Sequence, residues 1–459
     1  MISITKILMG TRLYYMFRSK LFSLSLLLIS LNTSGQVNPN ATTTIPKKSA
    51  LEYLKISADS SFEAQQQRVK AYLAKNNTEL QSLDELGNVM LLIDVTDTGH
   101  PIYLSTHNEG AAQTIGVDKL RVNGGLNLNL EGNGLTVGIW DGGLPKDHIE
   151  FGNRILSKQG AYLHYHTTHV TGTILAGGVN PEAKGMAPKA NAVTFDFSND
   201  YSEMISLAKV DQSSLLLSNH SYGQIGGWSS GKWYGDPVIS KLEDYNFGFY
   251  SSYSKLIDDL AYNAPYYLIC KSAGNDRDDV GNGSYPPDCN GGTGYDCIGD
   301  FGTSKNVVTV GAVEKVLNYT GPSSVVMSRF SSWGPTDDGR IKPDFVAAGV
   351  EVFSSSYNGT EKPGENSYAT LSGTSMAAPN ASGGLILLQE LHKNLNNGNF
   401  MKAATLKALA IHTCQEAGDH IGPDYRFGWG LLDVEKAAMV LKEKDNVNTI
   451  ISEHDLKNG

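Results

Sequence analysis

From Thr136 onward, apolar runs rich in β-branched residues alternate with stretches of helical periodicity, and this alternation constrains the fold more than any other feature of the chain. The run at 136–140 precedes a helical pattern opening at His166, and the run at 192–197 precedes one near 202–210. The run at 215–219 is followed by a helical stretch near 253–262, and further runs lie at 267–272 and 307–313. The remainder is helical at 375–392, 402–412 and 433–442. Strands separated by helices imply an α/β fold with a doubly wound, mostly parallel sheet flanked by helices. In such sheets ligands bind beyond the carboxyl ends of the strands, so polar residues there are the candidate functional residues.

The upstream part reads differently. Lys6, Arg12, Arg18 and Lys20 precede an apolar run at 21–31, and Thr33-Ser34-Gly35 offers small residues for cleavage, the pattern of a signal peptide at 1–35. That run is about half of the ~20 residues a spanning helix needs, which disfavours a stable membrane anchor and implies export. Residues 36–118 form a small α+β region, with an amphipathic helix at 60–75 and a strand-like run at 88–95, and carry no catalytic motif. The α/β unit then occupies 119–442, and 443–459 is a polar tail. The balance of 37 Lys+Arg against 47 Asp+Glu opposes any broad basic face for nucleic acid.

Export permits disulfides, and Cys289 and Cys297, eight apart in a Gly-rich segment, are expected to close a small loop. Cys270 and Cys414 sit in an apolar and a helical pattern and read as small hydrophobes. No Cys-x-x-Cys pair suggests structural zinc.

Three separated segments carry chemistry. Asp141 ends the run at 136–140 and is followed by Gly142-Gly143, a carboxylate at a strand's carboxyl end. His166 opens a helical stretch in which Gly172 allows close helix packing. Gly373-Thr374-Ser375-Met376-Ala377-Ala378-Pro379 sets a serine at a glycine-introduced helix start, where free backbone N–H groups point outward and suit an oxyanion. Acyl transfer by serine needs a base for the hydroxyl proton and a carboxylate to hold that base in the right tautomer. Asp141, His166 and Ser375 supply these roles, and Asn275 offers a side-chain amide where negative charge would develop.

With these blocks in view, the chain resembles the subtilisin-like (subtilase) serine peptidases over about 120–439. The matching segments are 137–143, 166–173, Ser221-Tyr222-Gly223, Ser272-Ala273-Gly274-Asn275, 330–335 with Lys342-Pro343-Asp344, and 373–379. The chain order Asp, His, Ser agrees with that resemblance. It implies a secreted serine endopeptidase acting on polypeptide substrates, with Asp141 orienting His166, His166 as general base and acid, Ser375 as nucleophile and Asn275 as oxyanion donor. It also implies that Ser221, Tyr222 and Gly223 form an edge to which substrate adds as a strand, with Ala273 and Gly274 opposite. By the same resemblance 36–118 is a propeptide that assists folding and acts as an intramolecular inhibitor. No redox or nucleotide cofactor is implied, and calcium would be a structural ion only. The segments 276–279 and Asp337-Asp338 are its candidate ligands, although solvated acidic loops are commoner.

Two features depart from the family pattern: Thr167 stands where glycine usually follows the histidine, and the aromatic-rich insertion at 224–253 is long. Aromatic residues in such an insertion more often anchor it to its own protein than line a cleft. His148, His164 and His169 compete with His166 for the base role, but the frame His-x-Thr-His-Val-x-Gly selects His166. His166 and His169 lack the His-Glu-x-x-His spacing of a metalloprotease, and Gly373-x-Ser375-x-Ala377 misses the esterase elbow. The reading from a different class is an exported, non-catalytic binding protein that retains the peptidase fold. Asn219-His220-Ser221 and Asn282-Gly283-Ser284 match glycosylation sequons.

Overall fold

The computed structural model describes residues 47–443 and 451–454, apart from 77, 79, 84–88, 97, 107–112, 161 and 361–365. The signal peptide expected at 1–35 and most of the polar tail lie outside the described residues. Among the described residues no helix is long and apolar enough to cross a membrane.

The described residues begin with α1 (Lys47–Asn76), β1 (Gln81–Leu83), β2 (Val89–Val95) and β3 (Pro101–Thr106). The α1 helix starts earlier than the amphipathic pattern at 60–75 because its buried positions, Leu51, Ala58 and Val69, are sparse and begin before that pattern does. Next come β4 (Thr136–Asp141), β5 (Ile155–Gln159), α2 (Tyr165–Leu175), β6 (Asn191–Asp196), α3 (Asp200–Leu207), β7 (Leu217–His220) and β8 (Tyr222–Gln224). A small hairpin, β9 (Trp228–Ser229) with β10 (Lys232–Trp233), precedes α4 (Ser252–Asn263), β11 (Leu268–Ser272) and a short turn, α5 (Asp288–Gly292). The remaining elements are β12 (Val308–Val313), β13 (Phe345–Ala348), the hairpin β14 (Val352–Ser356) and β15 (Ser367–Leu371), then α6 (Thr374–Leu395), α7 (Ala403–Thr413) and α8 (Val434–Glu443).

Seven strands pair in parallel in the order β13-β12-β11-β7-β4-β6-β5, as the alternation predicts. Side chains alternate across each strand, so the sheet feeds two cores. Leu268 and Cys270 of β11 join Val137 and Ile139 of β4 in the core shared with α2, α6, α7 and α8. Ile269 and Trp140 point the other way, into the core shared with α1, α3 and α4. Coverage on both faces is what long apolar runs in parallel strands require. Cys270 is a buried free thiol in the first core, its pKa pushed up to about 12 by burial. The α6 helix is buried from Thr374 through Leu391.

Two strands of the seven-stranded sheet escaped the sequence pattern. The edge strand β5 is half-exposed and polar, and β13 is only four residues long, although every one is buried. The start of β13 depends on Asp344, whose carboxylate meets Lys342 Nζ and Lys407 Nζ at 2.7 Å each and accepts from Thr309 N–H at 2.8 Å. These two lysines hold its pKa below the ordinary value despite burial.

The upstream strands form an antiparallel sheet, β1-β2-β3-β8, whose last member belongs to the α/β unit. Register pairs Leu104 with Gln224, Ser105 with Gly223 and Thr106 with Tyr222. Arg68 clasps Asp94 at 2.7 and 2.8 Å, tying α1 to β2, while Lys55 Nζ donates to Ser202 Oγ on α3 at 2.7 Å. The described part of the tail returns to the main body, where Glu453 accepts from Lys402 N–H at 3.0 Å.

Removing the Asp344 charge leaves Lys342 buried without compensation, so Asp344→Asn is expected to cost about 3–5 kcal/mol in chemical denaturation. A cost below about 1 kcal/mol would show that the cluster does not hold β13 in place.

Candidate active site

The carboxyl ends of β4 and β11 and the amino-terminal turns of α2 and α6 supply the residues singled out in the sequence. Asp141 is the last residue of β4 and is fully buried. Its Oδ1 accepts from Gly142 N–H at 2.7 Å, from His166 Nδ1 at 2.6 Å and from Thr167 Oγ1 at 3.1 Å. The hydrogen bond from Nδ1 assigns the proton to that nitrogen and leaves Nε2 as the basic one. Thr167, the departure from the family pattern, therefore adds a donor to the carboxylate. A Cβ at Gly172 would run into the hydroxyls of Ser354 and Ser355, so this glycine lets α2 lie against the β14–β15 hairpin.

The other histidines have different occupations. His148 Nε2 donates to Ser367 O at 2.9 Å and His169 Nε2 donates to Ala369 O at 3.1 Å, which fastens both to β15. Burial, followed by the neighbouring His166, lowers the pKa of His169 to about 3 and that of His164 to about 4, so both imidazoles are neutral. His164 Nδ1 and Asp141 Oδ2 are buried with no hydrogen-bond partner among the described residues.

Ser375 is the second residue of α6, and Pro379 lies within the same helix. Proline has no N–H, so the Ser375 carbonyl loses the donor four residues on that a helix normally supplies. Ser221 Oγ takes that place and donates to Ser375 O at 2.7 Å, while Ser375 Oγ donates back to Ser221 O at 2.9 Å. This reciprocal clip binds the start of α6 to the edge that continues into β8. Asn219, the asparagine of one sequon, is buried and donates to Ser221 Oγ at 2.9 Å.

Asn275 follows β11 closely. Its Oδ1 accepts from Thr374 N–H and Thr374 Oγ1, both at 2.9 Å, which fixes the amide plane and directs Nδ2 the opposite way. Ala273 N–H donates to Val310 O at 3.0 Å, and Gly274 N–H to Thr374 Oγ1 at 3.1 Å. Gly274 has φ +107°, and a Cβ there would press on the Asp276 carboxylate and the Ser332 hydroxyl.

Sequence reasoning missed the polar layer beneath β8. Lys271 is buried and its ammonium donates to the carbonyls of Tyr222 and Ser272, with its pKa lowered by burial. Tyr222 and Tyr253 hydroxyls both donate to Asp200 at 2.6 Å, while burial pushes Asp200 up to about 6. The available signal was a lysine inside the apolar run that leads into Ser272-Ala273-Gly274-Asn275.

Cys289 and Cys297 are joined, and Phe247 of the insertion packs on them. Trp228 Nε1 donates to Pro286 O at 2.8 Å, and Trp233 stacks on Tyr285 at 4.7 Å, so the insertion is anchored to its own chain. The acidic segments have protein partners: Asp276 accepts from Ser332 Oγ at 2.9 Å, Asp278 pairs with Arg329 at 2.5 Å and Asp338 with Arg340 at 2.9 Å.

An α/β sheet with Asp, His and Ser at its active edge defines a class. Residues 132–430 match the model of the Subtilase family, peptidase S8, and the chain belongs to that family. It is 34% identical over 156 residues to the C5a peptidase of Streptococcus pyogenes serotype M3, covering 32% of this chain and 12% of that protein. It is 24% identical over 378 residues to the serine protease/ABC transporter B family protein tagD of Dictyostelium discoideum, covering 60% of this chain and 19% of that protein. The chain thus spans less than a fifth of the length of these relatives. The solved Clostridium perfringens CspB protease shares the fold, with a TM-score of 0.55 at 17% identity, over 73% of this chain and 100% of that one.

Ser221→Ala strips the Ser375 carbonyl of its hydroxyl donor and is expected to destabilise by about 1–3 kcal/mol. Adding Pro379→Ala restores a helical N–H, so the double variant should recover part of that loss in a denaturation cycle. Strict additivity would contradict the clip.

Proposed function

We propose that this chain is the precursor of an exported serine endopeptidase that cuts peptide bonds through an acyl-enzyme on Ser375. The observation that carries this reading is the buried 2.6 Å contact between His166 Nδ1 and Asp141 Oδ1, which presets the tautomer a serine base needs. His166 Nε2 takes the Ser375 proton as Oγ attacks the scissile carbonyl, and returns it to the leaving amine. Asp141 stays ionised and offsets the imidazolium charge. The oxyanion is received by Asn275 Nδ2 and the Ser375 N–H, both presented before the reaction and therefore needing little reorganisation. These side chains perform every step without a redox or nucleotide cofactor.

Residues 36–118 act as a propeptide and intramolecular inhibitor. The pairing of β3 with β8 supports this, because substrate adding as a strand would need the same edge. The Ser375 hydroxyl donates to Ser221 O, and in the mechanism it gives up that bond to reach His166 once the edge is released. Hydrogen bonds at catalytic groups often tighten only when substrate is bound. The basic and apolar pattern at 1–35 supports export.

Peptide hydrolysis by the processed protein tests the reading, and Ser375→Ala should lower kcat by at least about 10⁴-fold. Persistent cleavage in that variant would refute the mechanism. Asn275→Leu is expected to lower kcat by about 10²–10³ with little change in KM, the signature of a group that binds the transition state alone. Thr167→Val keeps the side-chain shape but removes one charge-assisted hydrogen bond, about 1.5 kcal/mol, so kcat should fall roughly tenfold. An unchanged kcat would mean that Thr167 does not help hold Asp141.

A further inference from the structure

We infer that Asp141, His164 and His166 form a binding site for a divalent transition-metal cation of the zinc type, and that occupation of this site switches the peptidase off. One donor atom on each of the three residues lies within 4.8 Å of the donors on the other two, and among the described residues no other group of three His, Cys, Asp or Glu is so arranged. All three are buried, with His164 only 6% exposed. Two polar atoms on these residues are unexplained by the fold: Asp141 Oδ2 and His164 Nδ1 are buried without a hydrogen-bond partner among the described residues. An orphaned buried acceptor costs free energy comparable to a lost hydrogen bond, so such atoms normally mark a missing partner. Two imidazoles and a carboxylate are a donor set that zinc takes up readily, and they leave a fourth position open.

The backbone sets this geometry. His164 caps α2 in an extended conformation, φ −134° and ψ 138°, two residues before His166, and its N–H donates to Leu144 O at 2.8 Å. That bond anchors the backbone of His164 to the segment just after Asp141. Tetrahedral zinc places its donors about 3.4 Å apart, as follows from bond lengths of about 2.1 Å, so side-chain rotations that draw the three donors together complete the site.

Inhibition follows from proton bookkeeping. In the form that acts as base, His166 carries its proton on Nδ1, the atom facing Asp141. A cation bound at Nδ1 displaces that proton, which moves to Nε2 of the same ring, and the charge of His166 is otherwise unchanged. Nε2 then carries a proton and cannot accept the one on Ser375. The Asp141 carboxylate is meanwhile drawn to the metal and no longer orients the ring. No oxidant or reductant takes part.

This inference rests on the peptidase reading for its consequence but not for the binding itself, and the experiment separates the two. Zn²⁺ is titrated calorimetrically into the full chain carrying Ser375→Ala, with Co²⁺ ligand-field absorption as a second readout, and inhibition by Zn²⁺ is measured on the processed active protein. One equivalent should bind, and binding should be lost in the Ser375→Ala/His164→Phe double variant. In active protein, His164→Phe should raise the Zn²⁺ concentration for half inhibition at least about tenfold, the smallest effect seen when even outer-shell groups of zinc sites are removed. His164→Gln serves if the phenylalanine variant fails to fold. Peptidase activity without any saturable Zn²⁺ binding, or inhibition untouched by either His164 substitution, would overturn the site while leaving the peptidase reading intact. One equivalent of His164-dependent binding, together with no cleavage by processed protein that retains Ser375, would uphold the site and sink the peptidase reading.

Discussion

A carboxylate buried at the end of a central strand is costly unless donors surround it, and Asp141 is such a group. Gly142 N–H, His166 and Thr167 converge on one of its oxygens, and meeting that demand fixes where α2 can begin. Once α2 is placed, Gly172 brings it against the β14–β15 hairpin, and that hairpin leads into α6 and Ser375. The placement of these residues is thus set largely by one electrostatic requirement, with the two cores packed on the sheet beneath it.

A second constraint acts on Ser375 from the far side. Proline at 379 denies a helical partner to the carbonyl of Ser375, and Ser221 answers with its hydroxyl. Ser375 is therefore registered against the strand edge, and the same edge is taken by β3 of the upstream region. Asn275 is locked from its oxygen side by Thr374, which belongs to the helix carrying Ser375. Backbone and side-chain hydrogen bonds couple all of these groups, so a shift in α6 would be felt at both Ser375 and Asn275.

Much of this was legible in the string. Apolar runs long enough to be covered on both faces specified β4, β7, β11 and β12, and strand-end polarity pointed to Asp141 and Asn275. Other features were hidden because their cause is tertiary. The β13 strand is too short to read without the Asp344 cluster that starts it, and β5 is an edge with no core-facing run. The pairing of β3 with β8 joins residues about 120 positions apart, which no local pattern encodes. Lys271 reads as an error in an apolar run until the carbonyls above it are seen. Thr167 was visible only as a departure from the family pattern, and its role as a donor to the carboxylate needs the fold.

The central claim is that Ser375 is made nucleophilic by His166 and Asp141. A serine-directed phosphonate applied to the processed protein, with the adduct located by peptide mass mapping, tests it most directly. The account predicts a single adduct at Ser375, formed in step with loss of peptide cleavage and absent in a His166→Ala variant. Adduct formation at another residue, or cleavage that continues while Ser375 is fully modified, would contradict it.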